Sequence, residues 1–228
     1  RTCDYLSLND TAILYNEDQS EKAKIHMAVI QDIYTMSVTM DNIGEFAAKA
    51  EKIGFLNLKC NTISVAVDDL MVYQNYFDSP LQFLHFLKQR KMATRNETLA
   101  LNDELDHLGM YIHHNCYALS DDSPKQPTMK SFLGYREDLD TYFGQLYHPK
   151  LKPQKPIQTL PKYFEQMLEW LNSSNLNNKI RVANYLLDFS SDAKEGLNNQ
   201  IEYTLQRQLV THHSSAISAS GRSDTDLR

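Results

Sequence analysis

From Tyr34 the chain alternates in character: Tyr34, Met36, Val38 and Met40 are apolar and Thr35, Ser37 and Thr39 are polar. A period of two residues is the signature of a strand with one buried face. Upstream, Ala12–Tyr15 is a short apolar stretch that reads as a strand or its edge. Ile25–Ile30 reads as a further strand, although Met27 and Ile30 also fit helical spacing. After Asp41 the spacing changes, and Ile43, Phe46, Ala47 and Ala50 share one side of a predicted helix over Ile43–Lys52 that Gly54 ends. Ile63, Val65 and Val67 then alternate with Ser64 and Ala66 as another strand, with Asp68 capping a helix that carries Leu70, Tyr73 and Phe77. Alternating strands and helices predict an α/β chain, with α+β left open, in which a small sheet is covered by helices.

The clearest punctuation is Asp78-Ser79-Pro80-Leu81-Gln82. Ser79 serves as N-cap, Pro80 as the first helical residue and Gln82 as the returning partner of a capping box, so a helix is predicted to about Met92. Leu81, Phe83, Leu84, Phe86 and Leu87 cover most of its circumference, which predicts burial on more than one side. Asp121–Pro127 reads as a loop, and Pro149–Pro161, with four prolines, as a longer irregular connection and a domain boundary. Helical spacing returns over Leu160–Leu171, Ile180–Phe189 and Asp192–Val210. The expected organisation is an α/β domain over 1–148, a C-terminal helical unit over 149–210 and a disordered tail over 211–228, rich in serine and charge. No internal repeat is visible.

Composition changes this picture little. With 42% hydrophobic and 23% charged residues the chain resembles average globular proteins, which argues against a disordered or fibrous one. A net charge of -6 does not favour nonspecific attraction to phosphate, while a local basic patch stays open. The three cysteines, Cys3, Cys60 and Cys116, are too far apart for the paired spacing of a structural zinc site and do not suggest a disulfide framework. No apolar run approaches the roughly 20 residues that span a bilayer, and the first residues do not resemble a secretory leader. A cytoplasmic location without membrane association is therefore expected, and the start at Arg1 rather than Met suggests a fragment.

The densest polar cluster is Asp103-Glu104-Leu105-Asp106-His107, followed by His113 and His114. On a helix Glu104, His107, Tyr111 and His114 approach one face, which makes Glu104, His107 and His114 candidate metal ligands. A single Glu-x-x-His is weak support, because dimetal bundles use two such motifs and further carboxylates. The plainer reading is a solvated acidic face with histidines placed to suit the helix dipole. His85, alone on an apolar helix with neither nucleophile nor acid in sequence beside it, reads as a hydrogen-bonded core or boundary residue. Lys88, Arg90, Lys91 and Arg95 are candidates for nucleic-acid contact, although basic residues in a last helical turn also suit the dipole. Thirteen tyrosines offer no locatable stacking platform. Phosphate loops, dinucleotide fingerprints, nucleophile elbows and His-Glu-x-x-His are all lacking.

Two stretches carry a family resemblance: Ile33–Gly44 (IYTMSVTMDNIG), and Ile63–Leu70 (ISVAVDDL) running into Phe77–Arg90 (FDSPLQFLHFLKQR). Together, over roughly residues 25–117, they resemble the C-terminal strands and following helix of bacterial proteins related to the restriction-endonuclease-like, PD-(D/E)xK nuclease superfamily, NERD-like proteins included. The resemblance implies that the first domain is an incomplete nuclease-like domain. It also implies a strand-borne acid and a Glu-x-Lys or Asp-x-Lys pair that hold Mg²⁺ and activate water. Only Asp192-Ala193-Lys194 has that spacing, at a predicted helix start rather than on a strand, and it is given no catalytic role. The site then lies upstream, comes from another subunit, or does not exist in this copy. Hydrolase activity and Mg²⁺ are expected only if the site is supplied elsewhere, with no cofactor held by this chain. The expected role is a non-catalytic C-terminal portion that completes a sheet and docks, or orients nucleic acid, with DNA or another subunit as partner. A non-enzymatic protein–protein interaction module is the alternative, and a metal-binding protein built on Glu104, His107 and His114 a further one.

Overall fold

The computed structural model describes residues 5–6, 8–30, 32–41, 62–96, 98–118 and 130–211. The predicted helix over Ile43–Lys52, the loop over Asp121–Pro127 and the tail beyond 211 lie outside them. The chain is a mixed α/β protein. Among the described residues the strands pair as three separate two-stranded sheets.

Strands β1 (Thr11–Tyr15) and β2 (Glu21–His26) form an antiparallel hairpin with Thr11 opposite His26. The strand expected to reach Ile30 stops at His26, and Met27–Val29 make a single 3₁₀ turn. Strands β3 (Thr35–Thr39) and β4 (Thr62–Ala66) run parallel, Thr35 beside Thr62 and Thr39 beside Ala66. The strand that the alternation predicts is present, but burial does not alternate along it: Thr35 and Thr39 are half-buried. Tyr34 and Met36 pack on the core, while Val38 is 48% and Met40 82% exposed.

Helix α1 (Val67–Tyr76) follows β4 without a loop. The strand persists to Ala66, so Ala66 takes the cap position and Asp68 falls in the first turn instead of capping it. There its carboxylate still meets the positive end of the helix dipole. Helix α2 (Pro80–Arg95) begins as its sequence dictates, Ser79 Oγ accepting from the Gln82 amide at 3.4 Å, and runs a turn beyond Met92. Strand β5 (Leu99–Leu101) leads into helix α3 (Glu104–His114), capped by Asp103 Oδ1 on the Leu105 amide at 2.9 Å. Strand β6 (Lys130–Phe132) lies parallel to β5 and precedes helix α4 (Glu137–Leu146).

Residues 151–161 have no regular structure, but they are not detached. Gln158 Nε2 donates to the Tyr111 carbonyl and to Asn115 Oδ1, and Lys155 pairs with Asp78. Helices α5 (Lys162–Ser173), α6 (Lys179–Leu187) and α7 (Ser191–Thr211) follow, close to their predicted bounds. Among the described residues two apolar cores result. One gathers β4, α1, α2, β5 and α3 around Phe86, Tyr73 and Leu108; the other joins α5 and α6 through Phe164, Leu171 and Leu187. Leu81 of α2 belongs to the second core while Phe86 and Leu87 belong to the first, which accounts for the apolar residues around that helix. Among the described residues no helix is long and apolar enough to cross a membrane.

Candidate functional site

Helix α2 buries polar side chains on two sides. On one side Arg90, 0% exposed, meets Glu104 at the start of α3, 1% exposed. The guanidinium donates through Nε to Oε1 at 3.0 Å and through Nη2 to Oε2 at 2.9 Å, and Tyr73 Oη adds a bond to Oε1 at 2.8 Å. Two parallel N–H···O bonds and a phenol satisfy a carboxylate that would otherwise be too costly to bury. Further acids crowd this end of α3. Asp103 pairs with Arg136 at 2.7 Å, and Asp106 Oδ1 accepts from the Arg136 amide at 3.0 Å. Burial, joined by the charges of Asp103 and Glu104, pushes the Asp69 carboxyl up to about 6. Burial also raises that of Asp106, against the amide bond from Arg136.

On the other side α2 presents His85, whose side chain is fully buried. Its Nδ1 lies 2.9 Å from the Tyr111 hydroxyl and its Nε2 3.0 Å from Asp188 Oδ1. Asp188 is the C-cap of α6, and its other oxygen, Oδ2, accepts from Lys88 at 2.5 Å. Cys116, just past the end of α3, places Sγ 3.8 Å from Asp188 Oδ1. The turn that brings it there is held from several directions. Asn115 has a positive φ of 48°, unusual for a residue other than glycine, and its Nδ2 donates to the Leu187 carbonyl at 2.5 Å. Gln158 holds its Oδ1 at 3.0 Å.

The electrostatics of the trio follow from burial and order. Burial opposes ionisation of Asp188, but hydrogen bonds from His85 and Lys88 outweigh it and hold the carboxyl below its ordinary range. Burial lowers the affinity of His85 for a proton, against the pull of Asp188. The Cys116 thiol is pushed up to about 12, by burial first and then by the charge of Asp188. A protonated thiol that is 1% exposed, with the acid standing between it and the imidazole, is not the activated nucleophile–base–acid line of a cysteine hydrolase. The same three atoms do form a convergent donor set. Among the described residues this is the one group of three or more His, Cys, Asp or Glu ligand atoms lying within 4.8 Å of each other.

Asp188 and Lys88 also reach a cleft of about 810 Å³. Val29, Ile30 and Tyr34 line it from the β2–β3 side, Leu84 from α2, and Ile180 and Tyr185 from α6. Asp32 at its edge pairs with Lys91 at 2.5 Å, and Arg181 is exposed.

The residues singled out from sequence are dispersed. Glu104, His107 and His114 do not converge on an ion: Glu104 is held by Arg90, His107 Nδ1 lies 3.0 Å from the Tyr117 hydroxyl, and His114 Nε2 3.0 Å from that of Tyr135. Nor is the start of α3 a solvated acidic face, since Glu104, Asp106 and His107 are all buried, each with a partner from another element or from the turn after α3. Of the basic stretch, Arg90 points into the core and is withdrawn from any phosphate, Lys88 pairs with Asp188, Lys91 with Asp32, and Arg95 is exposed at the end of α2. His85, read as lacking an acid or a thiol, has both. Lys194 of the Asp-x-Lys match is 3% exposed and its charge acts on His85 and Cys116. One signal for this second cluster was present in the sequence: Asp188 ends a predicted helix, where a carboxylate opposes the dipole and calls for compensating cations.

No family model matches the chain, and neither a curated protein nor a solved structure matches it.

Proposed function

We propose that the chain is a non-enzymatic binding module whose cleft beside α2 and α6 seats an apolar segment of a partner protein bearing a carboxylate. The observation that carries this is the lining itself. Ile30, Tyr34, Leu84, Ile180 and Tyr185 make an apolar wall, Val29 is 74% and Tyr185 63% exposed, and Arg181 offers an exposed guanidinium at the rim. Lys88 and Lys91 are each neutralised by a carboxylate, so the cleft lacks the run of cations that a nucleic-acid backbone requires. An amphipathic helix or strand with two apolar anchors suits such a groove. Selection from a displayed peptide library on the full chain should enrich sequences pairing apolar anchors with an acid, and Ile180→Asp and Arg181→Ala should each weaken the selected peptides at least tenfold. A selection that enriches nothing, or peptides indifferent to both substitutions, would overturn the reading. So would tight duplex DNA binding that falls steeply with salt.

A place in a nuclease-like bacterial protein of the cytoplasm is a second reading. It is supported by the resembling stretches supplying the parallel pair β3 and β4 and the two helices, α1 and α2, that follow β4. In that setting this portion binds while a strand-borne acid pair and Mg²⁺ come from elsewhere. The coding sequence immediately 5′ of Arg1 should then contain a Glu-x-Lys or Asp-x-Lys on a predicted strand; a start codon adjoining Arg1 would count against it.

A further inference from the structure

We propose that His85, Cys116 and Asp188 form a binding site for a divalent ion of the zinc class, with Nε2, Sγ and Oδ1 as its ligands. The inference is independent of what fills the cleft.

Geometry is the first support. Nε2 and Oδ1 are 3.0 Å apart, and Sγ and Oδ1 3.8 Å apart. Tetrahedral zinc with ordinary bond lengths sets a nitrogen and an oxygen ligand about 3.3 Å apart and a sulfur and an oxygen about 3.6 Å apart. Along these two edges an ion asks for shifts of a few tenths of an ångström, and all three ligand atoms lie within 4.8 Å of one another, where tetrahedral zinc sets nitrogen and sulfur about 3.6 Å apart. One thiolate, one imidazole and one carboxylate favour zinc over the oxygen-seeking Mg²⁺ and Ca²⁺, and three protein ligands leave a fourth position for water.

The surroundings are those of a held ligand set. Tyr111 Oη, 2.9 Å from His85 Nδ1, can accept a proton as readily as donate one, so it fixes the ring in whichever tautomer frees Nε2. Lys88 takes Oδ2 of Asp188 and leaves Oδ1 facing the other two ligands. Asn115, with its positive φ and its bond to the Leu187 carbonyl, fixes the thiol-bearing turn against the end of α6. Asp188, 34% exposed, opens the site toward the cleft and provides the entry path.

Binding balances with the loss of one proton. The Cys116 S–H bond breaks, an S–metal bond forms, and the proton passes to buffer. His85 binds as the neutral ring: Nε2 carries no hydrogen, and the one ring proton sits on Nδ1 and donates a hydrogen bond to Tyr111 Oη, which keeps its own proton. The ammonium groups of Lys88 and Lys194 act against a dication and temper its affinity.

Titration of the full chain with Co²⁺ should give a thiolate-to-cobalt charge-transfer band that saturates at one equivalent. Calorimetry with Zn²⁺ in two buffers of different ionisation enthalpy should report one proton released. Cys116→Ser should abolish the band and weaken zinc roughly a hundredfold, given the loss of the thiolate ligand, and Lys88→Gln should tighten zinc. Should the buried Cys116→Ser variant fail to give the parent circular dichroism spectrum, Asp188→Asn, at the more exposed position, carries the same test. Absence of stoichiometric zinc binding, or zinc affinity unchanged in these variants because other histidines hold the ion, would overturn the proposal.

Discussion

Arg90 and Glu104 are two full charges with almost no contact with water, and what makes them tolerable is that each satisfies the other in parallel hydrogen bonds with Tyr73 as a third party. Removing one partner strands the other in a medium that cannot solvate it. Glu104→Gln is therefore expected to lower stability by about 3–5 kcal/mol, read from urea unfolding midpoints, and replacing both residues by apolar ones of similar volume to recover much of that loss. Asp69 behaves in the opposite sense. Its folded pKa of about 6 lies above the unfolded one, so its contribution is fully present below pH 4 and is lost as pH rises through 6. Neutral pH forces a buried carboxylate to ionise beside Asp103 and Glu104. Asp69→Asn should raise the melting temperature at pH 7.5 and lose that advantage at pH 4; a variant less stable than the parent at pH 7.5 would show that the carboxylate makes a bond the amide cannot replace.

At the scale of elements, α3 docks closely enough to specify one residue. A Cβ at Gly109 would lie 2.0 Å from the Tyr135 carbonyl oxygen, so the helix and the turn before α4 can meet only where no side chain intervenes. Gly109→Ala should push them apart and cost about 1–3 kcal/mol despite the better helix propensity of alanine, measured by denaturant unfolding. Helix α2 was legible because its signals are local, a serine cap, a proline and a glutamine within four residues, and α5 to α7 because apolar spacing persists over several turns. Strands β5 and β6 were not, since three residues carry no period, and each is made a strand by the other across 28 positions of sequence. The acidic run misled for a related reason: whether Glu104 is solvated depends on Arg90, and nothing local distinguishes a guanidinium that turns inward from one that turns outward.

For the whole molecule the candidate site is an outcome of topology. His85 and Asp188 lie 103 residues apart and Cys116 72 from Asp188, so no window of sequence holds the three together. They meet because α2 packs on both cores and the turn after α3 is bonded to the end of α6. Cys116 is thereby closed off by a lid made from a distant part of the chain, and its thiol becomes a clock for that closure. In a Cys3→Ser, Cys60→Ser background, and at reagent concentrations low enough that the lid recloses faster than the thiol reacts, alkylation proceeds only from the opened state. The labelling rate, divided by that of an unstructured thiol, gives the equilibrium for local opening directly. If the lid lifts without global unfolding, that ratio will exceed the unfolded fraction found by denaturant, and the closure between α6 and the end of α3 will yield before the molecule as a whole does.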